Sequence, residues 1–127
     1  HASTFGGNPV CIASALKTIE LLQNGLTENA RVVGDYLMAG LRGLQIKYSA
    51  IGDVRGYGLM VGVEFVTDRG AHDSELRDKI EMECFNRGLI ILGCGDSTIR
   101  WSPPLVLTKE NVDVALEIFE GAIEASL

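Results

Sequence analysis

The 127 residues, 46% apolar and 22% charged, suit one globular domain and argue against a disordered chain. Acidic residues outnumber basic ones, 17 to 11, giving a net charge of −6 and an isoelectric point near 4.8, with no Lys/Arg cluster to hold a nucleic acid. No apolar run approaches the ~20 residues of a membrane span and no signal peptide is visible, so the expectation is a cytoplasmic protein without nucleic-acid or membrane partners.

The chain begins with "STFGGNPV", two hydroxyls, two glycines and an Asn-Pro pair in a short space. Asn8 is a good N-cap and Pro9 fits a first helical position, so a helix starts here. The run "VCIASALKTIELLQ" puts Ile12, Ala15, Leu16, Ile19 and Leu22 on one face, and Asn24-Gly25 stops it. Thr27 caps a second helix whose buried stripe is Val32, Val33, Tyr36, Leu37 and Leu41, with Gly43 near its end. "IGDVRGYGLMVGVEFV" then reads as one or two strands joined at Gly56-Tyr57-Gly58.

After the polar loop "DRGAHDS", Ser74 caps a helix running to about Arg87. Leu76, Ile80 and Cys84 face inward there, with Met82 and Phe85 as further candidates, and Gly88 ends it. "LIILGC" is a strand, "GDS" a turn and "TIRWS" a short strand, broken by Pro103-Pro104. Thr108 caps a last helix with Val112, Ala115, Leu116, Phe119 and Ile123 on its inner face. The order predicts an α+β layer, a small and mainly antiparallel sheet covered by helices.

Two stretches carry chemistry. Ser3, Thr4, Gly6 and Gly7 stand before the Asn8-Pro9 helix start, where hydroxyls, flexible backbone, free N–H groups and the helix dipole suit a phosphate. A plain N-cap with a glycine turn is the structural alternative. Arg100 lies in the apolar strand "TIRWS", where it needs an acidic partner. That partner is a protein carboxylate or, failing one, a substrate carboxylate matched by the guanidinium fork.

Other features are structural by the same tests. Cys11, Cys84 and Cys94 are spaced widely without a C-x-x-C pair, which reads as small hydrophobes in a reducing compartment and gives no metal site. Arg55 and Glu64 read as an ion pair on neighbouring strands. Gly56, Gly58 and Gly62 lead into a strand and not a helix, so they are no dinucleotide fingerprint. His1 and His72 have no partner pattern. None of Lys17, Lys47, Lys79 and Lys109 has the desolvated or charge-crowded setting of a Schiff-base nucleophile. A phosphate cradle and a carboxylate clamp without nucleophile, acid or base suit part of an enzyme better than a whole one.

"HASTFGGNPVCIASAL", "VRGYGLMVGVEF", "RGLIILGCGDSTIRWSPPLVLT" and "ENVDVALEIFEGAIE" together resemble the C-terminal region of class III aminotransferases, enzymes that use pyridoxal 5'-phosphate. The resemblance spans essentially the whole chain, and "LGCGDSTIRWSPPLVL" leans towards 4-aminobutyrate aminotransferase-like members. It implies the C-terminal small domain of a fold-type I transferase, with residues 1–8 as the end of a catalytic domain. It implies that Thr4, with Ser3 close by, binds the cofactor phosphate in the neighbouring subunit of a homodimer. It implies that Arg100 holds the carboxylate of an amino-acid or 2-oxo-acid substrate during ping-pong transfer of an amino group. The family's Schiff-base lysine and the Asp for the pyridine nitrogen lie upstream of the matching region and have no counterpart here. The chain is therefore read as a C-terminal fragment without catalytic residues, inactive alone. A non-enzymatic small-anion-binding or dimerisation module is the alternative, and the two differ in what is encoded before His1.

Overall fold

The computed structural model describes residues 3–127. Helix α1 spans Pro9–Leu21, and the chain then kinks at Leu22–Leu26, where Asn24 and Gly25 leave helical geometry and Gly25 takes φ +122°. The Asn-Gly pair thus breaks the helix as its chemistry requires. Helix α2, Thr27–Lys47, follows. Thr27 is not its capping acceptor. The hydroxyl donates to the Leu22 carbonyl at 3.0 Å, and the helix runs past Gly43 to Lys47.

The strands are β1 (Ile51–Tyr57), β2 (Met60–Phe65), β3 (Leu92–Cys94) and β4 (Thr98–Trp101), ordered β1-β2-β4-β3 and antiparallel throughout. The expected hairpin forms, but its link is Gly58-Leu59, and Gly56 and Tyr57, expected in the turn, belong to β1. A register shift between Ile51 and Asp53 lets Ile51 and Val54 both turn inward. "LIILGC" contributes only its last three residues to the sheet.

Helix α3 is Ser74–Asn86 and α4 is Lys109–Ser126. Asp73, one residue before the expected cap, accepts the Leu76 N–H at 2.9 Å. Thr108 caps α4 as expected, in a reciprocal box with Asn111. Helices α2, α3 and α4 cover one face of the sheet. Val33, Leu37 and Leu41 of α2, Ile80 and Cys84 of α3, and Val112, Phe119 and Ile123 of α4 meet Val61, Val63, Phe65, Ile99 and Trp101 there. Phe119 stands edge-on to both Phe65 and Trp101, with ring centroids 6.3 and 5.0 Å away.

Several expected core residues lie outside. Val32 and Tyr36 are exposed, because the α2 stripe falls on Val33, Leu37, Leu41 and Leu44. Met82 and Phe85 face solvent. Helix α1 buries nothing, and Ile12, Leu16 and Ile19 on its apolar face are all exposed. Among the described residues it touches only the kinked segment after it, so its periodicity finds no partner there. Cys84 is buried as expected, whereas Cys11 is exposed on α1.

Candidate functional site

Among the described residues no helix covers the outer face of the sheet, and the register fixes what lies on it. Gly62 of β2 has Arg55 of β1 on one side and Arg100 of β4 on the other, and Leu92 of β3 lies beyond Arg100. One step along, Glu64 stands between Asp53 and Thr98. Side chains alternate across a strand, so these residues share the face opposite the core.

Arg100 is exposed, and no carboxylate among the described residues lies within salt-bridge distance of it. Its flanks are a glycine and a leucine, which offer nothing to its guanidinium. Of the two partners foreseen for it, the protein carboxylate is absent among the described residues.

Arg55 is the opposite case. Its Nη1 lies 2.8 Å from Asp53 Oδ2 and 2.8 Å from Glu64 Oε2, the ion pair expected with Glu64 plus one more. Asp53 first and Glu64 second raise its pKa further above its ordinary value. His72, expected to be without partners, has Nδ1 3.1 Å from Ser97 Oγ and 3.6 Å from Glu64 Oε1. An isolated bridge between Val66 and His72 folds the polar loop back to bring it there. Sequence spacing could not reveal this pairing, because it depends on how the loop closes.

Ser3 and Thr4 are exposed, on a turn closed by Gly6 N–H to Ser3 O at 3.3 Å and Asn8 N–H to Phe5 O at 3.1 Å. Gly7 takes φ +82°, and a Cβ on Gly6 would lie 3.0 Å from Ser3 Oγ. The glycines keep the hydroxyl edge of this turn open. The expected free N–H groups are not there. Val10 and Cys11 donate to Asn8 Oδ1 at 3.0 and 3.2 Å, Ile12 donates to Asn8 O at 3.0 Å, and Pro9 has no N–H. What remains for an anion is the hydroxyl pair, the turn and the field of the helix end. His1 lies outside the described residues.

The structure does not bring the two sites together. Helix α1 touches no strand of the sheet. Among the described residues no His/Cys/Asp/Glu group could hold a metal ion, and no helix is long and apolar enough to cross a membrane.

Comparison with known proteins matches residues 1–123 to the family model of class III aminotransferases. An alanine/serine racemase of Pyrococcus horikoshii is 44% identical over 98% of this chain. An acetylornithine aminotransferase of Caldanaerobacter subterraneus is 36% identical over 97% of it. The crystal structure of a Bacillus anthracis aminotransferase superposes with a TM-score of 0.90 at 32% identity, covering 98% of this chain and 30% of that one. The chain spans 27% and 30% of the lengths of the two curated relatives. An α+β layer with an open arginine on its bare sheet face and a hydroxyl-bearing turn before its first helix thus has a family: the chain belongs to the class III aminotransferases, which depend on pyridoxal 5'-phosphate.

Proposed function

We propose that this chain supplies the carboxylate clamp and part of the phosphate site of an enzyme that moves an amino group between an amino acid and a 2-oxo acid. Arg100 carries this reading. It is an exposed guanidinium on a sheet face, unpaired among the described residues, and an incoming carboxylate can take it bidentately. In the working enzyme the cofactor serves as an electron sink that labilises bonds at the amino-bearing carbon.

The donor set fits only the phosphate end of that cofactor. Ser3 and Thr4 are neutral hydroxyl donors on an open turn near the positive end of α1. Lys17 and Lys47 are tied to Glu20 and to the Glu120/Glu124 pair, so neither is placed as a nucleophile. Because α1 stands apart from the sheet, Ser3 and Thr4 serve a different active site from the one Arg100 faces. A homodimer with active sites shared between its subunits accords with this reading. Arg100 holds the carboxylate and so fixes which carbon meets the reactive centre.

The test is Arg100→Ala in the full-length holoenzyme. A lost charge-assisted hydrogen-bond pair costs ~1.5–3 kcal/mol. The KM for an acid substrate rises roughly 10- to 150-fold. Unchanged kinetics with acids would remove Arg100 from this role. Thr4→Ala should lower cofactor retention on dialysis, and equal retention would remove Thr4 from the phosphate site.

The 44% identity to an alanine/serine racemase favours a second reading, interconversion of amino-acid enantiomers. Arg100 would hold the carboxylate in the same way. Racemisation needs no oxo-acid acceptor, so loss of optical rotation from L-alanine without one supports it. Turnover that requires a 2-oxo acid supports transfer. The lean towards 4-aminobutyrate rests on "LGCGDSTIRWSPPLVL" alone.

A further inference from the structure

Arg100 is unpaired among the described residues although a carboxylate stands one diagonal step away. Glu64 lies directly opposite Thr98 on β4, and Arg100 is two residues along that strand on the same face. Arg55 is the matching diagonal neighbour on β1, since it pairs with Gly62. Diagonal neighbours in a sheet are within reach of long side chains. Glu64 thus has two arginines within range and takes one, with Oε2 2.8 Å from Arg55 Nη1.

The Arg55 side chain reaches across β2, and its Nη2 donates to Thr98 Oγ1 at 3.3 Å on the strand beyond. The Arg55 guanidinium therefore touches both Glu64 and its opposite neighbour Thr98, on the side from which Glu64 would turn to Arg100. Asp53 Oδ2 anchors Arg55 at 2.8 Å, and His72 approaches the other Glu64 oxygen at 3.6 Å.

We propose that Arg55 is a positioning residue that holds Glu64 away from Arg100 and so keeps the Arg100 guanidinium free for an incoming carboxylate. The proposal rests on the clamp role of Arg100. Without Arg55 the face carries two carboxylates and one arginine. A glutamate tethered on the same sheet then competes with any dissolved carboxylate for Arg100.

Labelling by phenylglyoxal reads guanidinium freedom directly, through peptide mass spectrometry of the full-length holoenzyme. Arg100 should react in the parent, several-fold more slowly in Arg55→Gln, and again at the parent rate in the double variant Arg55→Gln/Glu64→Gln. Glu64→Gln alone should leave the parent rate. A structural disturbance from losing Arg55 would persist in the double variant, whereas release of Glu64 would not. Arg100 inert in the parent, equal rates in parent and Arg55→Gln, or slowing that survives in the double variant would each overturn the proposal. Acetate protection of Arg100 tests the clamp role separately. If acetate gives no protection while the variants follow the expected pattern, the clamp role fails and the contest for Glu64 stands.

Discussion

Helix α2 holds three glycines, and replacing each by alanine separates packing from propensity. In an open helix interior Gly→Ala is worth about 1 kcal/mol of stabilisation. Gly43 is that case, with nothing within 4 Å of an added Cβ. A Cβ at Gly34 would overlap the carbonyl of Gly58 and lie 2.7 Å from its Cα. Gly58 is the hairpin turn, at φ +55°, and cannot yield as a side-chain end would. The helix must lift by roughly 1 Å, and gaps of that size forfeit a quarter to a half of the dispersion energy at the contact. Overpacking costs about 1–3 kcal/mol and the propensity gain of about 1 offsets part of it, so Gly34→Ala should lose about 1 kcal/mol net where Gly43→Ala gains about 1. At about 4 °C per kcal/mol for a chain of this size, the two midpoints differ by about 8 °C in thermal unfolding followed by circular dichroism. Gly40→Ala meets only the end of the Leu116 side chain, which can turn away, and should fall between them. If Gly34→Ala raises the midpoint as Gly43→Ala does, the close approach of α2 to the hairpin is wrong.

Burial pushes the Cys84 thiol up to about 12, so alkylation of the native chain by iodoacetamide at mildly alkaline pH should spare Cys84 and modify exposed Cys11; rapid loss of the Cys84 thiol under native conditions would contradict its place in the core. Glu124 of α4 is held below its ordinary 4.5 by the Tyr48 hydroxyl and by Lys47, at 2.7 and 3.2 Å. A lowered pKa stabilises the fold above the unfolded value and stops doing so as pH falls through the folded one. Glu124→Gln should thus be less stable than the parent at neutral pH, with the gap closing below about pH 4; a gap constant with pH in urea titrations would show that the charge is irrelevant.

Much of the architecture was legible because local chemistry and tertiary packing agree in it. Thr108 and the run from Val112 to Ile123 announce α4, and the glycine turn inside a stretch rich in Val, Gly and aromatics announces the hairpin. Where sequence reasoning missed, a partner beyond the local pattern was deciding. The stripe of α2 shifts to Val33, Leu37, Leu41 and Leu44, and the contact of Gly34 with the hairpin fixes that orientation. Helix α1 has a sound apolar period and no burial, since periodicity reports that a face wants cover and not where the cover lies.

The candidate sites divide in the same way. An Asn N-cap and an open anion cradle are rival uses of the same N–H groups, and Asn8 takes them. Ser3 and Thr4 are therefore left as exposed hydroxyls on a turn, without the free N–H groups that the spacing promised. Arg100 gains what Thr4 loses. The sequence shows an arginine in an apolar strand and leaves a protein and a substrate carboxylate equally open as its partner, while the fold puts Glu64 on the strand beside it and Asp53 one strand further. Only the folded structure shows that Arg55, reaching across β2, engages both carboxylates. A charge is free here because its neighbours are already occupied, and that follows from which diagonal a glutamate spans, a choice no linear spacing encodes.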